Sequence, residues 1–274
     1  MMLTVRRAWM PLTLLLLAAC EPPPRSASEF PAECPEGAQW DGVRCVRSEV
    51  ACPDNSSFEG GKCVALPAAT AALDPIVGTW SLTGVRPDGA SYTGSAIVAA
   101  LAKGGPYEIE WSVGGTIYGG IASRRGDTLS VGWSTTAEYG VVDYVARGDG
   151  SLEGVWYDSH SAAPGREVLT GGQPSLAGVY NVQTGVTPDG KSYGGTCDLA
   201  VTGDLHVLLW HVGAETYRGL GIRSGDVLSV GFSTAKSAAF GVVQYRIAEG
   251  TLVGRWAEWS QKVPALGSET LVKK

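Results

Sequence analysis

Histidine is nearly missing from this chain, with three in 274 residues, and none of the three stands in a motif with a serine and a carboxylate. That removes the recognisable nucleophilic triads, and no pair of acids is found where a repeat would duplicate a reactive centre, so an enzyme is not expected. Helical periodicity is absent from the long C-terminal part, which excludes an α-helical or α/β fold there. An excess of basic residues is also lacking: the formal net charge is -6, which argues against nucleic acid or anionic lipid as an electrostatic partner. The one sustained apolar run, 12–19, is too short to span a bilayer. No cofactor motif is present.

What is abundant is glycine, aromatics and repetition. Val77-Gly78-Thr79-Trp80 and Pro87-Asp88-Gly89-Ala90-Ser91-Tyr92 recur as Ala177-Gly178-Val179-Tyr180 and Pro188-Asp189-Gly190-Lys191-Ser192-Tyr193. Tyr118, Asp127 to Trp133 and Leu152 to Trp156 are answered by Tyr217, Asp226 to Phe232 and Leu252 to Trp256. A fixed repeat decides the architecture before any single residue does. Each copy reads as short alternating segments separated by turn residues, in the second copy 178–186, 192–201, 206–212, 216–222, 227–233, 242–248, 252–258 and 268–273. Eight strands per copy suit a closed barrel, and Pro-Asp-Gly at 87–89 and 188–190 is hairpin chemistry. The expected fold is all-β: two tandem eight-stranded up-and-down antiparallel barrels, each closed by its own last strand, behind a small disulfide-stapled hairpin module.

At the N-terminus Arg6 and Arg7 precede the apolar run, which ends in small residues as an export signal does. The run closes in Leu17-Ala18-Ala19-Cys20, which resembles the lipobox of bacterial lipoproteins. That resemblance implies cleavage before Cys20, a diacylglycerol on its thiol and an amide-linked acyl chain, so the membrane partner is reached through lipid. Removing 1–19 takes away Arg6 and Arg7 and no acid, moving the net charge from -6 to -8. Glu21 after Cys20, in place of Asp, is compatible with the outer membrane, and the expected location is the cell envelope. The proline-rich stretch that follows reads as a stiff tether. Expected boundaries are 1–19 signal peptide, 20–33 lipidated cysteine and tether, 34–64 hairpin module, 65–75 linker, 76–172 barrel 1 and 173–274 barrel 2.

Four cysteines form a smaller repeat, Cys34-Pro35 with Cys45-Val46 and Cys52-Pro53 with Cys63-Val64. Ten residues separate the members of each pair, too many for the usual zinc ligand spacing. An exported module this short needs disulfides to fold, and identical spacing favours Cys34 with Cys45 and Cys52 with Cys63, although four cysteines permit three pairings. Cys197 is left over and reads as a small buried hydrophobe.

The opening Gly-Thr-Trp at 78–80, the eight-strand meander and the terminal Thr-Leu resemble the calycin superfamily of lipocalin and avidin-like barrels. The Pro-Asp-Gly, Tyr-x-Gly, Leu-x-Val and Gly-x-Trp pattern is similar to small exported bacterial repeat domains. Alternation turns Trp80, Trp111, Tyr118, Trp133, Tyr144 and Trp156 inward in copy one, and Trp210, Tyr217, Phe232, Tyr245 and Trp256 in copy two. The calycin resemblance implies that these rings enclose a hydrophobic small molecule. The number of large rings, relieved by Gly94, Gly120 and Gly154, and the scarcity of inward amides or carboxylates favour a filled interior instead. His206 is predicted inward, partly buried and hydrogen-bonded near the rim. Glu108 and Glu110 become Val207 and Leu209 in copy two, an apolar strip for the other barrel or for a surface protein. Arg125-Gly126-Asp127 and Arg147-Gly148-Asp149 are read as turns, not as adhesion tripeptides. A non-enzymatic, lipid-anchored binding protein is the expectation, with an adhesin or inhibitor acting through loops or the strip as the alternative.

Overall fold

The computed structural model of the protein describes residues 34, 38–40, 45–47, 56–59, 62–65, 74–135, 138–237, 239–259 and 265–274. The signal segment, Cys20, the tether and Cys52 lie outside them. The chain divides into two units, 1–70 and 71–274. In the first, β1 (Ala38–Trp40) pairs with β2 (Cys45–Arg47) and β3 (Ser56–Glu59) with β4 (Lys62–Ala65), both antiparallel. Cys34 is bonded to Cys45 across a Cα separation of 5.6 Å, as the repeat spacing predicts. Cys63 is also disulfide-bonded.

The second unit contains only strands among its described residues. Copy one supplies β5 (Gly78–Val85), β6 (Ser91–Ala100), β7 (Tyr107–Val113), β8 (Thr116–Arg125), β9 (Thr128–Ser134), β10 (Tyr139–Ala146), β11 (Leu152–Asp158) and β12 (Ser161–Thr170). Copy two supplies β13 (Gly178–Val186), β14 (Ser192–Tyr193), β15 (Gly195–Thr202), β16 (Leu205–Val212), β17 (Glu215–Ser224), β18 (Val227–Thr234), β19 (Phe240–Ala248), β20 (Thr251–Glu258) and β21 (Gly267–Lys273). Gly194 interrupts what is otherwise one strand, so each copy has eight. Burial alternates along β5 and β7, with Trp80, Leu82, Tyr107, Ile109 and Trp111 inside, as period-two patterning requires. Gly89 and Gly190 take φ of 86° and 83° in the Pro-Asp-Gly turns, a region in which a side chain would be strained.

The two antiparallel barrels form as expected, but they do not follow the repeat boundary. Barrel 1 runs β19-β20-β21-β5-β6-β7-β8-β9 and closes on itself. Barrel 2 runs β12-β11-β10-β18-β17-β16-β15-β13, with β14 beside β13, and closes by pairing β12 with β13. Each copy therefore gives its last three strands to the other copy's barrel. The expected closure of 76–172 and of 173–274 each upon itself is corrected accordingly. Barrel 2 is one continuous segment, 138–237, inserted between β9 and β19 of barrel 1.

The exchange occurs where the chain passes from β9 to β10 and from β18 to β19. At that crossing a Cβ on Gly132 would stand 1.9 Å from the Gly140 carbonyl oxygen, and one on Gly231 2.0 Å from that of Gly241. Only glycine lets the backbones come this close. Around it, Leu205, Leu220 and Ile222 of barrel 2 pack on Phe240, Val242 and Ala257 of barrel 1. Val207, half of the predicted apolar strip, packs against this cluster, and Leu209 is half-buried. A polar seam runs beside it: Ser130 and Ser229 hydroxyls lie 2.6 Å apart, and Gln244 Nε2 donates to Ser229 Oγ at 2.9 Å. Arg125 of the first tripeptide donates to Asp143 across the seam at 3.1 Å, and Arg147 of the second pairs with Glu153, so both arginines serve the fold.

Candidate functional site: a ring-lined mouth in each barrel

One register rule builds both sites. Large rings stand directly across from glycines: Trp156 from Gly165, Trp256 from Gly267, Phe232 from Gly140 and Trp133 from Gly241. A Cβ on Gly165 would meet the Trp156 ring at 2.0 Å, and one on Gly267 the Trp256 ring at 2.3 Å. Each ring thus lies over bare backbone along the wall. A ring laid flat on the wall leaves the axis open at the mouth, while deeper down each interior is filled as expected, by Trp80, Leu82, Tyr107 and Ile109 in barrel 1 and by Leu152, Leu169, Tyr180 and Leu208 in barrel 2. The mouth of barrel 1 holds a cavity of about 560 Å³, and that of barrel 2 one of about 810 Å³, within the range of small-molecule sites. Gly120 and Gly154 seat Trp111 and Tyr144 as expected, whereas Gly94 instead faces the Ser112 carbonyl.

Below the rings, the same rule sets a polar floor. In barrel 2, cross-strand partners run Tyr144, Gly154, Glu167, Gly185, Tyr193. In barrel 1 they run Tyr245, Gly254, Glu269, Gly84, Tyr92. Two tyrosines lean over two glycines toward one glutamate. Tyr144 donates to Glu167 Oε1 and Tyr193 to its Oε2 at 3.1 Å. Tyr245 donates to Glu269 Oε1 and Tyr92 to its Oε2 at 2.7 Å. Trp156 Nε1 then donates to Tyr193 at 3.1 Å, and Trp111 Nε1 to Tyr245 at 3.0 Å. Burial pushes both glutamate carboxyls above the usual range, while the tyrosine hydrogen bonds hold them down in part. Burial and the neighbouring carboxylate push all four tyrosines up, so each remains a donor at neutral pH.

Of the rings expected to meet a ligand, Trp111, Tyr118, Trp133 and Trp256 line the first cavity, and Trp156, Trp210, Tyr217 and Phe232 the second. Tyr144 and Tyr245 sit beneath, fully buried, holding the glutamates. Trp80 belongs elsewhere. It is buried away from the cavity and donates to the Ile76 carbonyl at 3.1 Å. His206 is buried on the inward face it shares with Leu208 and Trp210, as predicted, and is hydrogen-bonded to the Gly221 backbone, but it lies outside the cavity lining and its Nδ1 has no hydrogen-bond partner among the described residues. Burial and the nearby Arg223 lower its pKa. Cys197 is buried and free, its thiol pushed up first by burial and then by Glu167.

The sequence reading did not single out Tyr92, Tyr193, Glu167 or Glu269; it expected few inward carboxylates, and the structure places one buried glutamate in each barrel, at equivalent positions of the repeat. The signal was the phase of the strand: Glu167 and Glu269 alternate with Leu169 and Leu271, which are fully buried, so the acids had to point inward too. Among the described residues no group of three His, Cys, Asp or Glu side chains is placed to hold a metal.

The class is a pair of aromatic-mouthed β-barrels with a buried Tyr-Glu-Tyr floor. No protein-family model matches the chain, and no curated protein does. A solved structure from Nostoc punctiforme, described as a protein with unknown function from the DUF3598 family, is similar at 11% sequence identity and a TM-score of 0.18, covering 73% of this chain and 97% of that one.

Proposed function

We propose that the protein is a non-enzymatic binding protein of the cell envelope, anchored through Cys20, with calycin-like barrels that each admit an apolar small molecule between the rings at their mouths. The observation that carries this reading is the pair of ring-lined cavities of about 560 and 810 Å³ over a repeated buried carboxyl. Rings supply contact area, and a few fixed polar groups at the floor supply orientation, which is the usual division of labour in a binding pocket. Both oxygens of each glutamate already accept from tyrosines, an arrangement that suits positioning better than proton transfer.

The test is titration of soluble Cys20→Ser protein with the neutral dye N-phenyl-1-naphthylamine, following tryptophan emission and native mass. Up to two dye molecules per chain, with quenching weakened by Trp210→Ala, is the expected result. A protein that takes up neither the dye nor any co-purifying molecule would overturn the reading.

A further inference from the structure

The two mouths share their rings and differ in charge. Arg86, which lines the first cavity, is replaced by Thr187 in the second repeat. Thr116 becomes Glu215, and Ala239 answers to Glu138, so these three differences all make the mouth of barrel 2 more negative. Two changes run in the other direction, Lys236 in place of Ala137 and, on the exposed turn beside Thr187, Lys191 in place of Ala90, where it pairs with Asp189. Glu138, Asp158 and Glu215 all line the second cavity, and their charges converge on the Tyr217 hydroxyl. Glu167 lies below them, 5% exposed, with no ion-pair partner among the described residues.

The rings between these acids are set edge-on. Phe232 is at 6.3 Å from Trp156, from Trp210 and from Tyr217, with interplanar angles of 83°, 63° and 84°. Such a box presents several ring faces, each with a negative centre, to one guest. A buried carboxylate without a counter-charge costs free energy that an incoming cation recovers. An anion would meet four carboxylates; a neutral guest would leave the buried one uncompensated.

We infer that the cavity of barrel 2 takes an organic cation, an amine or quaternary ammonium carrying apolar groups, held between the rings above Glu167, in preference to barrel 1, where Arg86 stands among Asp88, Glu258 and Glu269 at the cavity wall. This rests on the binding reading above and names the ligand class for one of its two sites.

Benzyltrimethylammonium and neopentylbenzene have the same shape and differ in charge, and each can be competed against bound N-phenyl-1-naphthylamine. The ammonium ion is expected to displace one dye per chain at about tenfold lower concentration than its neutral counterpart, the scale set by ring-cation attraction. Thr187→Arg, which writes the barrel 1 residue into barrel 2, and the rim pair Glu138→Gln with Glu215→Gln should each remove most of that preference, read on each variant as the ratio of the two displacing concentrations. Both lie at the mouth, so neither depends on how Glu167→Gln folds. Equal displacement by the two compounds, or a preference that survives Thr187→Arg, would overturn the cation assignment while leaving the pockets standing. Uptake of neither the dye nor any co-purifying molecule would overturn both.

Discussion

Glycine at a ring's cross-strand position shapes the cavity, and single substitutions test this directly. Gly165→Ala would place a methyl carbon 2.0 Å from the Trp156 ring, forcing the indole off the wall. A loss of about 1 to 3 kcal/mol is expected in urea unfolding, together with weaker dye binding to barrel 2. Gly194→Ala, where no atom lies within 4 Å of a new Cβ, should change stability by no more than about 0.5 kcal/mol. His206 gives a pH signature. Its pKa is lower in the folded state than its ordinary 6.5, so below that value the unfolded chain binds more protons and stability is lost as pH falls. The urea midpoint should drop between pH 7 and pH 5, and drop less in His206→Leu. Glu167 and Glu269, whose carboxyls are raised, contribute the opposite slope, so the comparison between variant and parent isolates the histidine.

At the scale of elements, turns and alternation made every strand of the second copy legible to within two residues, because most strands have one wet and one dry face; β9, β10, β18 and β19, buried on both faces over most of their length, are the exceptions. They could not say which strand closes which barrel. Tyr139 and Phe240 open equivalent strands, and pairing Ser134 with either would bury the same kinds of residue; the structure pairs Ser134 with Phe240 and Ser233 with Tyr139. Near-identical patterns leave the choice to the seam between barrels, whose partners lie far apart in sequence. That seam makes a prediction of its own. Arg125→Ala removes the only ion-pair partner of Asp143 among the described residues; the Asp143 side chain is 2% exposed and that of Arg125 37%. A loss of about 1 to 3 kcal/mol is expected for a buried carboxylate left without its donor. The loss should shrink when Asp143→Asn is added, because the amide carries no charge to strand.

For the molecule as a whole, the repeat was plain in the sequence and the domain boundary was not, because the domains are nested. A fragment of 138–237 carries every strand of barrel 2 in order, and it should be a folded monomer with sharp near-ultraviolet dichroism. A fragment of 76–172, cut where the sequence repeats, brings three strands whose partners lie in the other copy, and light scattering should show it as a dimer that trades those strands. The nesting also sets a schedule. As the chain emerges from its N-terminus, β5 to β9 appear first, yet barrel 2 has all its strands once β18 is out, while β9 still waits for β19 and β5 for β21. During that interval barrel 1 shows two open edges, the condition under which β-proteins pair with the wrong chain. Any chain that stops short after Ser237 should therefore own a finished second pocket and no first one, which makes an intact barrel 1 the molecule's own record of having been completed.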